Sequence, residues 1–134
     1  MIGIAVITHG KFAEGIKDSL RMIVGQQENL ESVGLREDQG LEEFKKDVKE
    51  VIVEVNDGSG VLVFVDMFGA TPFNSVSMIR NELVAEGIKV MMVTGVNLPM
   101  LLEASTLREN TELEQLAQSV ANSSHETIEL LDLR

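Results

Sequence analysis

The chain has no cysteine, tryptophan or tyrosine, and only two prolines and two histidines among 134 residues. Without cysteine there is no disulfide framework, thiolate metal site, iron–sulfur cluster or thiol nucleophile. Positive charge is scarce as well. Eleven basic side chains face 22 acidic ones, a net charge of −11 with no basic stripe, which argues against nucleic-acid binding. The longest unbroken aliphatic and aromatic run, Val61–Val65, is far short of a membrane span. The start, MIGIAVITHG, lacks the basic n-region of a signal peptide. These absences leave the expectation of one cytoplasmic domain over residues 1–134, with 44% hydrophobic residues to build its core.

What is present is a regular alternation of patterns. Ile2–Thr8 is nearly all apolar and β-branched, as expected for a strand buried on both faces. Lys11–Val24 changes to helical spacing, with Phe12, Ile16, Leu20, Ile23 and Val24 on one face and Gly25 as the stop. Leu30–Leu35 reads as a second strand, Leu41–Val55 as a second helix, and Val61–Asp66 as the central strand. Thr71-Pro72 resembles an N-cap with proline at the first helical position, and that helix should run through Phe73, Val76, Ile79 and Leu83 to Gly87. Ile88–Thr94 is a fourth strand with Met91 and Met92 expected in the core, followed by a short helix after Pro99. Thr111 with Glu114 has the spacing of a capping box for another helix, and Glu126–Leu133 reads as a last strand.

This order predicts an α/β fold, an open doubly wound and mainly parallel sheet of order 2-1-3-4 flanked by helices. Ligand sites in such sheets lie outside the carboxyl ends of the strands, where the winding reverses. Here that point falls between the first and third strands, so the loops Thr8–Phe12 and Asp66–Pro72 are the ones to inspect.

His9 ends the first strand and Asp66 the third. Adjacent strands lie about 4.8 Å apart, so the carboxylate can reach the imidazole Nδ1. That contact would set the tautomer and leave Nε2 outward as a nucleophile. Gly10, Gly69 and Ala70 are small enough to let backbone N–H groups approach a ligand, Thr71 offers a hydroxyl, and the helix starting at Pro72 points its positive end at the site. Together these describe a phosphohistidine site. Each residue also has an ordinary structural reading: His9 as a packing residue, Asp66 as an Asx-turn residue, Thr71 as a helix cap. Geometry alone leaves the two readings balanced. Met67 and Phe68 are equally open, either tucked inward or exposed for a partner. His125 begins H-E without a second histidine four residues on, so no zinc-protease motif or other metal site is expected, and no nucleotide motif occurs.

Longer motifs separate the readings. ITHG at 7–10, FAEG at 12–15, VLVFVDMFGATPFN at 61–74 and VTGVNLPMLLE at 93–103 closely resemble the mannose-type IIA domain of the bacterial phosphoenolpyruvate-dependent sugar phosphotransferase system. The order and spacing match over essentially the whole chain. The resemblance implies that His9 accepts a phosphoryl group on Nε2 from the phosphocarrier HPr and passes it to a IIB component. It implies that Asp66 orients His9 and that the Thr71 hydroxyl lies near the phosphate. Thr8, Gly10, Met67, Phe68, Gly69, Ala70, Phe73, Asn74, Gly95, Asn97 and Pro99 then surround or shape the pocket. No cofactor is implied. The resemblance further implies a homodimer in which Glu126–Leu133 is an antiparallel edge strand, either exchanged between subunits or kept in its own, and a functional link to a membrane permease without insertion in the membrane. Many relatives continue into a fused IIB domain; a sequence ending at Arg134 carries the expectation of a separate IIB partner. Lys11 falls at a variable position and inherits no role. The rival readings are the IIA-like subunit of the phosphotransferase-dependent dihydroxyacetone kinase, which GATPFN disfavours, a receiver module, which lacks its acidic cluster here, and a non-catalytic binding module.

Overall fold

The computed structural model describes residues 1–134. Four strands, β1 (Gly3–His9), β2 (Leu30–Leu35), β3 (Val61–Val65) and β4 (Val90–Thr94), form one sheet in the order β2-β1-β3-β4. All three pairings are parallel. The helices are α1 (Phe12–Val24), α2 (Leu41–Val55), α3 (Thr71–Met78), α4 (Arg80–Ala85), α5 (Leu98–Leu107) and α6 (Leu113–Ser123), with short 3-10 turns at Arg108–Asn110 and Ser124–Thr127.

The period of two along β1 and β3 feeds two cores. Ile4, Val6, Leu62 and Phe64 pack with residues of α1, α5 and α6, among them Ala13, Leu20, Leu101 and Leu116. Ala5, Ile7, Val63 and Val65 point the other way and pack against Phe44, Val48 and Ile52 of α2 and Val76 and Leu83 of α3 and α4. Burial on both faces accounts for the nearly continuous apolar composition of these central strands. At the amino end of the sheet the buried Arg108 donates to the carbonyls of Ile2 (3.2 Å), Asn29 (3.0 Å) and Glu28. Burial pushes its guanidinium pKa down.

Several local expectations are corrected. The helix expected to run unbroken to Gly87 breaks at Ile79 into α3 and α4. Two serines return hydrogen bonds to carbonyls four residues back, Ser75 to Thr71 (2.8 Å) and Ser77 to Phe73 (3.0 Å), a pattern that bends helices. Thr71 does not cap α3; Ala70 is the N-cap and Thr71 lies within the first turn. Nor do Thr111 and Glu114 form a capping box, because α6 starts one residue later, with Glu112 as N-cap. The last paired strand begins at Val90, not Ile88, and Met91 is exposed because β4 is an edge strand with nothing beyond it. Phe12 and Ile23 are about half exposed, at the two ends of the apolar stripe of α1.

The largest correction concerns Glu126–Leu133. These residues form no strand in their own sheet: Glu126 and Thr127 close a 3-10 turn, and residues 128–134 take no regular secondary structure. Thr127 Oγ1 donates to the Ser124 carbonyl (2.7 Å) and closes that turn. Ile128, Leu130, Leu131 and Leu133 are 81%, 99%, 70% and 90% exposed. The apolar residues read from the sequence are real, but a single chain offers them no surface.

Candidate functional site

His9 is the last residue of β1, two positions beyond the last pairing of β1 with β3, Ile7↔Val65. Asp66 follows β3 directly. Their side chains meet: His9 Nδ1 lies 2.7 Å from Asp66 Oδ2. The same oxygen accepts the His9 backbone N–H at 2.9 Å, while Oδ1 accepts the Met67 N–H at 3.0 Å. An ionised carboxylate can only accept, so Nδ1 carries the proton of the neutral imidazole and the Nε2 lone pair is free. The Asp66 side chain is only 10% exposed, whereas that of His9 is 48% exposed. The carboxylate is therefore enclosed and the imidazole ring is presented to solvent.

Thr8, fully buried, anchors the loop from below. Its Oγ1 accepts the Ala13 N–H (2.8 Å) at the start of α1, where the Lys11 N-cap supplies no side-chain bond, and donates to the His9 carbonyl (3.0 Å). Gly10 follows with φ +53°, a conformation that favours glycine. Its N–H donates to the Leu35 carbonyl of β2 at 2.8 Å. Gly34, one residue earlier, leaves room for the Gly10 carbonyl: a Cβ at 34 would lie 1.8 Å from that oxygen.

On the other side the loop Asp66–Ala70 leads into α3. Gly69 has φ +78°, and its carbonyl accepts from Asn74 Nδ2 (3.1 Å), which closes the turn. No side chain caps α3, so the N–H groups of its first turn, with the dipole behind them, are available to an anion. The Thr71 hydroxyl makes no hydrogen bond within the protein, being relieved of the capping role read from the sequence. Met67 and Phe68 are 60% and 77% exposed, and Phe68 packs on Phe73 with ring centroids 4.7 Å apart. Met67 and Phe68 stand outward, whereas Phe73 is partly buried against the core shared by α2 and α3.

Gly95, Asn97 and Pro99 shape the neighbouring β4–α5 turn. Asn97 Oδ1 caps α5 by accepting the Met100 N–H (2.9 Å), Pro99 lies in the first turn, and Gly95 has φ +75°. The turn is tied to the site through Val96 N–H, which donates to the Val65 carbonyl (3.1 Å) just before Asp66. Two hollows, about 980 Å³ along β4 and about 510 Å³ along α1, contain neither His9 nor Asp66. The imidazole sits on an open surface, which suits a reactant delivered by another macromolecule. Sequence reasoning missed Gly34 and Arg108. A glycine inside a strand is the available signal for the first; nothing local marks the second.

Comparison with known proteins gives a consistent set of likenesses. Residues 3–121 match the family model described as PTS system fructose IIA component. The chain is 31% identical to the "PTS system fructose-specific EIIA component" of Bacillus subtilis, over 97% of this chain and 86% of that protein. It is 28% identical to the "PTS system mannose-specific EIIAB component" of Escherichia coli, over 97% of this chain but only 39% of that longer protein. Among solved structures, the phosphotransferase system component EIIA from Streptococcus agalactiae superposes with a TM-score of 0.87 at 31% identity, covering 97% of both chains.

Proposed function

The chain belongs to the fructose/mannose-type IIA family of the sugar phosphotransferase system, and we propose that within it His9 is the phosphoryl carrier between HPr and a IIB component. The observation that carries this reading is the 2.7 Å contact between His9 Nδ1 and Asp66 Oδ2 beneath an exposed ring. The Nε2 lone pair attacks the phosphorus of phosphorylated HPr in line with the scissile bond. As the Nε2–P bond forms, the P–N bond to the donor imidazole breaks and its electron pair returns to the donor ring. Phosphohistidine formation draws positive charge onto the His9 imidazole, and the Asp66 carboxylate offsets it through Nδ1–H. The Thr71 hydroxyl and the first N–H groups of α3 receive the equatorial phosphoryl oxygens. Transfer to IIB is the same exchange run outward. Two imidazoles exchange the group at similar energy, so positioning and electrostatics are what the protein has to supply.

The exposed side chains of Met67 and Phe68, with the partly buried Phe73 packed against Phe68, give a carrier surface on which HPr and IIB dock in turn. The acidic balance favours encounter with a partner bearing basic groups around its own histidine. The reading includes a cytoplasmic homodimer linked in function to a permease; no helix here is long and apolar enough to cross a membrane. In that dimer the segment 128–134 of each subunit lies on the open edge of β4 of the other, covering four apolar side chains that are otherwise exposed.

Incubation with phosphoenolpyruvate, enzyme I and HPr, followed by intact-mass measurement, tests the proposal. One phosphoryl group, lost in acid and stable in base, is expected on the parent and on His125→Ala, and none on His9→Ala. Phosphorylation of His9→Ala equal to the parent would refute the site.

A further inference from the structure

Glycine inside a strand packs nothing and weakens the ladder, and its presence often marks a close approach of another backbone. Gly34 of the edge strand β2 has such a neighbour. A Cβ built on it would lie 1.8 Å from the Gly10 carbonyl oxygen and 3.0 Å from its carbon. Both neighbours are backbone atoms, which cannot rotate aside as the end of a flexible side chain does. The approach is reinforced by the Gly10 N–H donating to the Leu35 carbonyl at 2.8 Å. His9 pairs with Leu35 in the β1–β2 register.

These contacts place the reactive residue between two fixed points. The N–H of His9 turns toward β3 and is held by Asp66 Oδ2 (2.9 Å). The N–H of Gly10, next along the chain, turns toward β2 and is held by Leu35. Asp66 sets the ring from one side; the end of β2 sets the height and direction of the backbone from the other. We propose that Gly34 is a positioning residue for phosphoryl transfer: by having no side chain it lets the His9-Gly10 loop settle onto β2, which aims Nε2. This rests on the phosphocarrier reading of His9 and acts through Gly10, not through contact with the phosphoryl group.

Gly34→Ala tests it. Contact below 3.0 Å is not sustained by a real Cβ, so loop and strand must separate by more than about 1 Å from the present 1.8 Å. A displacement of about 1 Å in a positioned reactant can cost about 100-fold in rate. The expected result is a fall of roughly 10- to 100-fold in single-turnover phosphorylation at saturating phospho-HPr, with apparent affinity for the donor nearly unchanged. The His9 imidazole nitrogen shifts should move with it.

Gly3→Ala is the matched control. It makes a comparable backbone clash, 2.2 Å to the Val55 carbonyl oxygen, at the opposite end of β1, so it should lose stability without losing transfer rate in its folded form. If Gly34→Ala folds poorly, it can be combined with Gly15→Ala, where a Cβ within α1 meets nothing within 4 Å and the better helix former restores stability. Transfer by folded Gly34→Ala within about threefold of the parent, with unchanged imidazole shifts, would overturn the proposal: the Gly10–Lys11 peptide would then have rotated without moving His9. The nitrogen shifts report on His9 even if the parent accepts no phosphoryl group, so failure of the positioning argument and failure of the carrier reading remain distinct.

Discussion

Replacing Asp66 by asparagine removes a charge while keeping almost every atom in place. The carboxylate presently accepts three hydrogen bonds, from His9 Nδ1 (2.7 Å) and N–H (2.9 Å) on Oδ2 and from Met67 N–H (3.0 Å) on Oδ1. An amide has one oxygen and one NH₂. With its oxygen toward His9, the NH₂ opposes the Met67 N–H. With its oxygen toward Met67, the NH₂ opposes the His9 N–H and drives the proton from Nδ1 to Nε2, occupying the nucleophilic lone pair. Either orientation leaves one polar contact unsatisfied, at a cost of about 1–3 kcal/mol. Losing the charge-assisted bond to an imidazole that gains positive charge adds about 1–2 kcal/mol in the transition state. The unsatisfied contact is present before and during transfer and so lowers stability, while the charge term predicts phosphorylation slower by about 5- to 30-fold at saturating phospho-HPr, since about 1.4 kcal/mol is tenfold. The fold should survive, because the change lies in a surface loop and conserves volume. Rapid-quench kinetics read the rate, and imidazole nitrogen shifts read the tautomer. A rate within about threefold of the parent, with Nε2 still unprotonated, would refute the assignment of Asp66 as the orienting group.

Two further outcomes follow from the same geometry. Arg108→Met keeps the apolar stem but strands the carbonyls of Ile2 and Glu28, which the guanidinium now serves at the amino end of the sheet. A loss of about 3 kcal/mol, or roughly 10 °C in Tm, is expected by calorimetry with phosphoryl transfer preserved at low temperature, and a shift under about 2 °C would contradict it. Deleting residues 128–134, whose four large apolar side chains are 70% exposed or more, should convert the proposed dimer to monomer or aggregate in light scattering. A truncated chain that stayed a dimer with unchanged melting would show that the tail takes no part in assembly.

The alternation of buried strands and amphipathic helices was legible because it is written in local periodicity, and strand order follows from it through the handedness of parallel crossovers. The contact between His9 and Asp66 was legible for the same reason. His9 and Asp66 close apolar strands that the topology makes neighbours, and a carboxylate is long enough to cross between them. Helix boundaries were less so. Whether Thr71 caps α3 or lies within it, and whether Ser75 and Ser77 bend it, depends on competing hydrogen bonds of similar energy.

Other features belong to the tertiary structure alone. Arg108 reaches Asn29 and Ile2 across 79 and 106 residues of sequence, and no pattern around it announces a buried cation. Gly34 can be seen as an odd residue for a strand, yet only the assembled sheet places the Gly10 carbonyl where its side chain would be. The tail makes the point in reverse: its alternating apolar residues promised burial, and the folded single chain leaves them in solvent. Local pattern specifies which surfaces need covering, because hydrophobicity is a property of each residue. What covers them is decided by contacts between distant segments, and within one chain residues 128–134 are left uncovered.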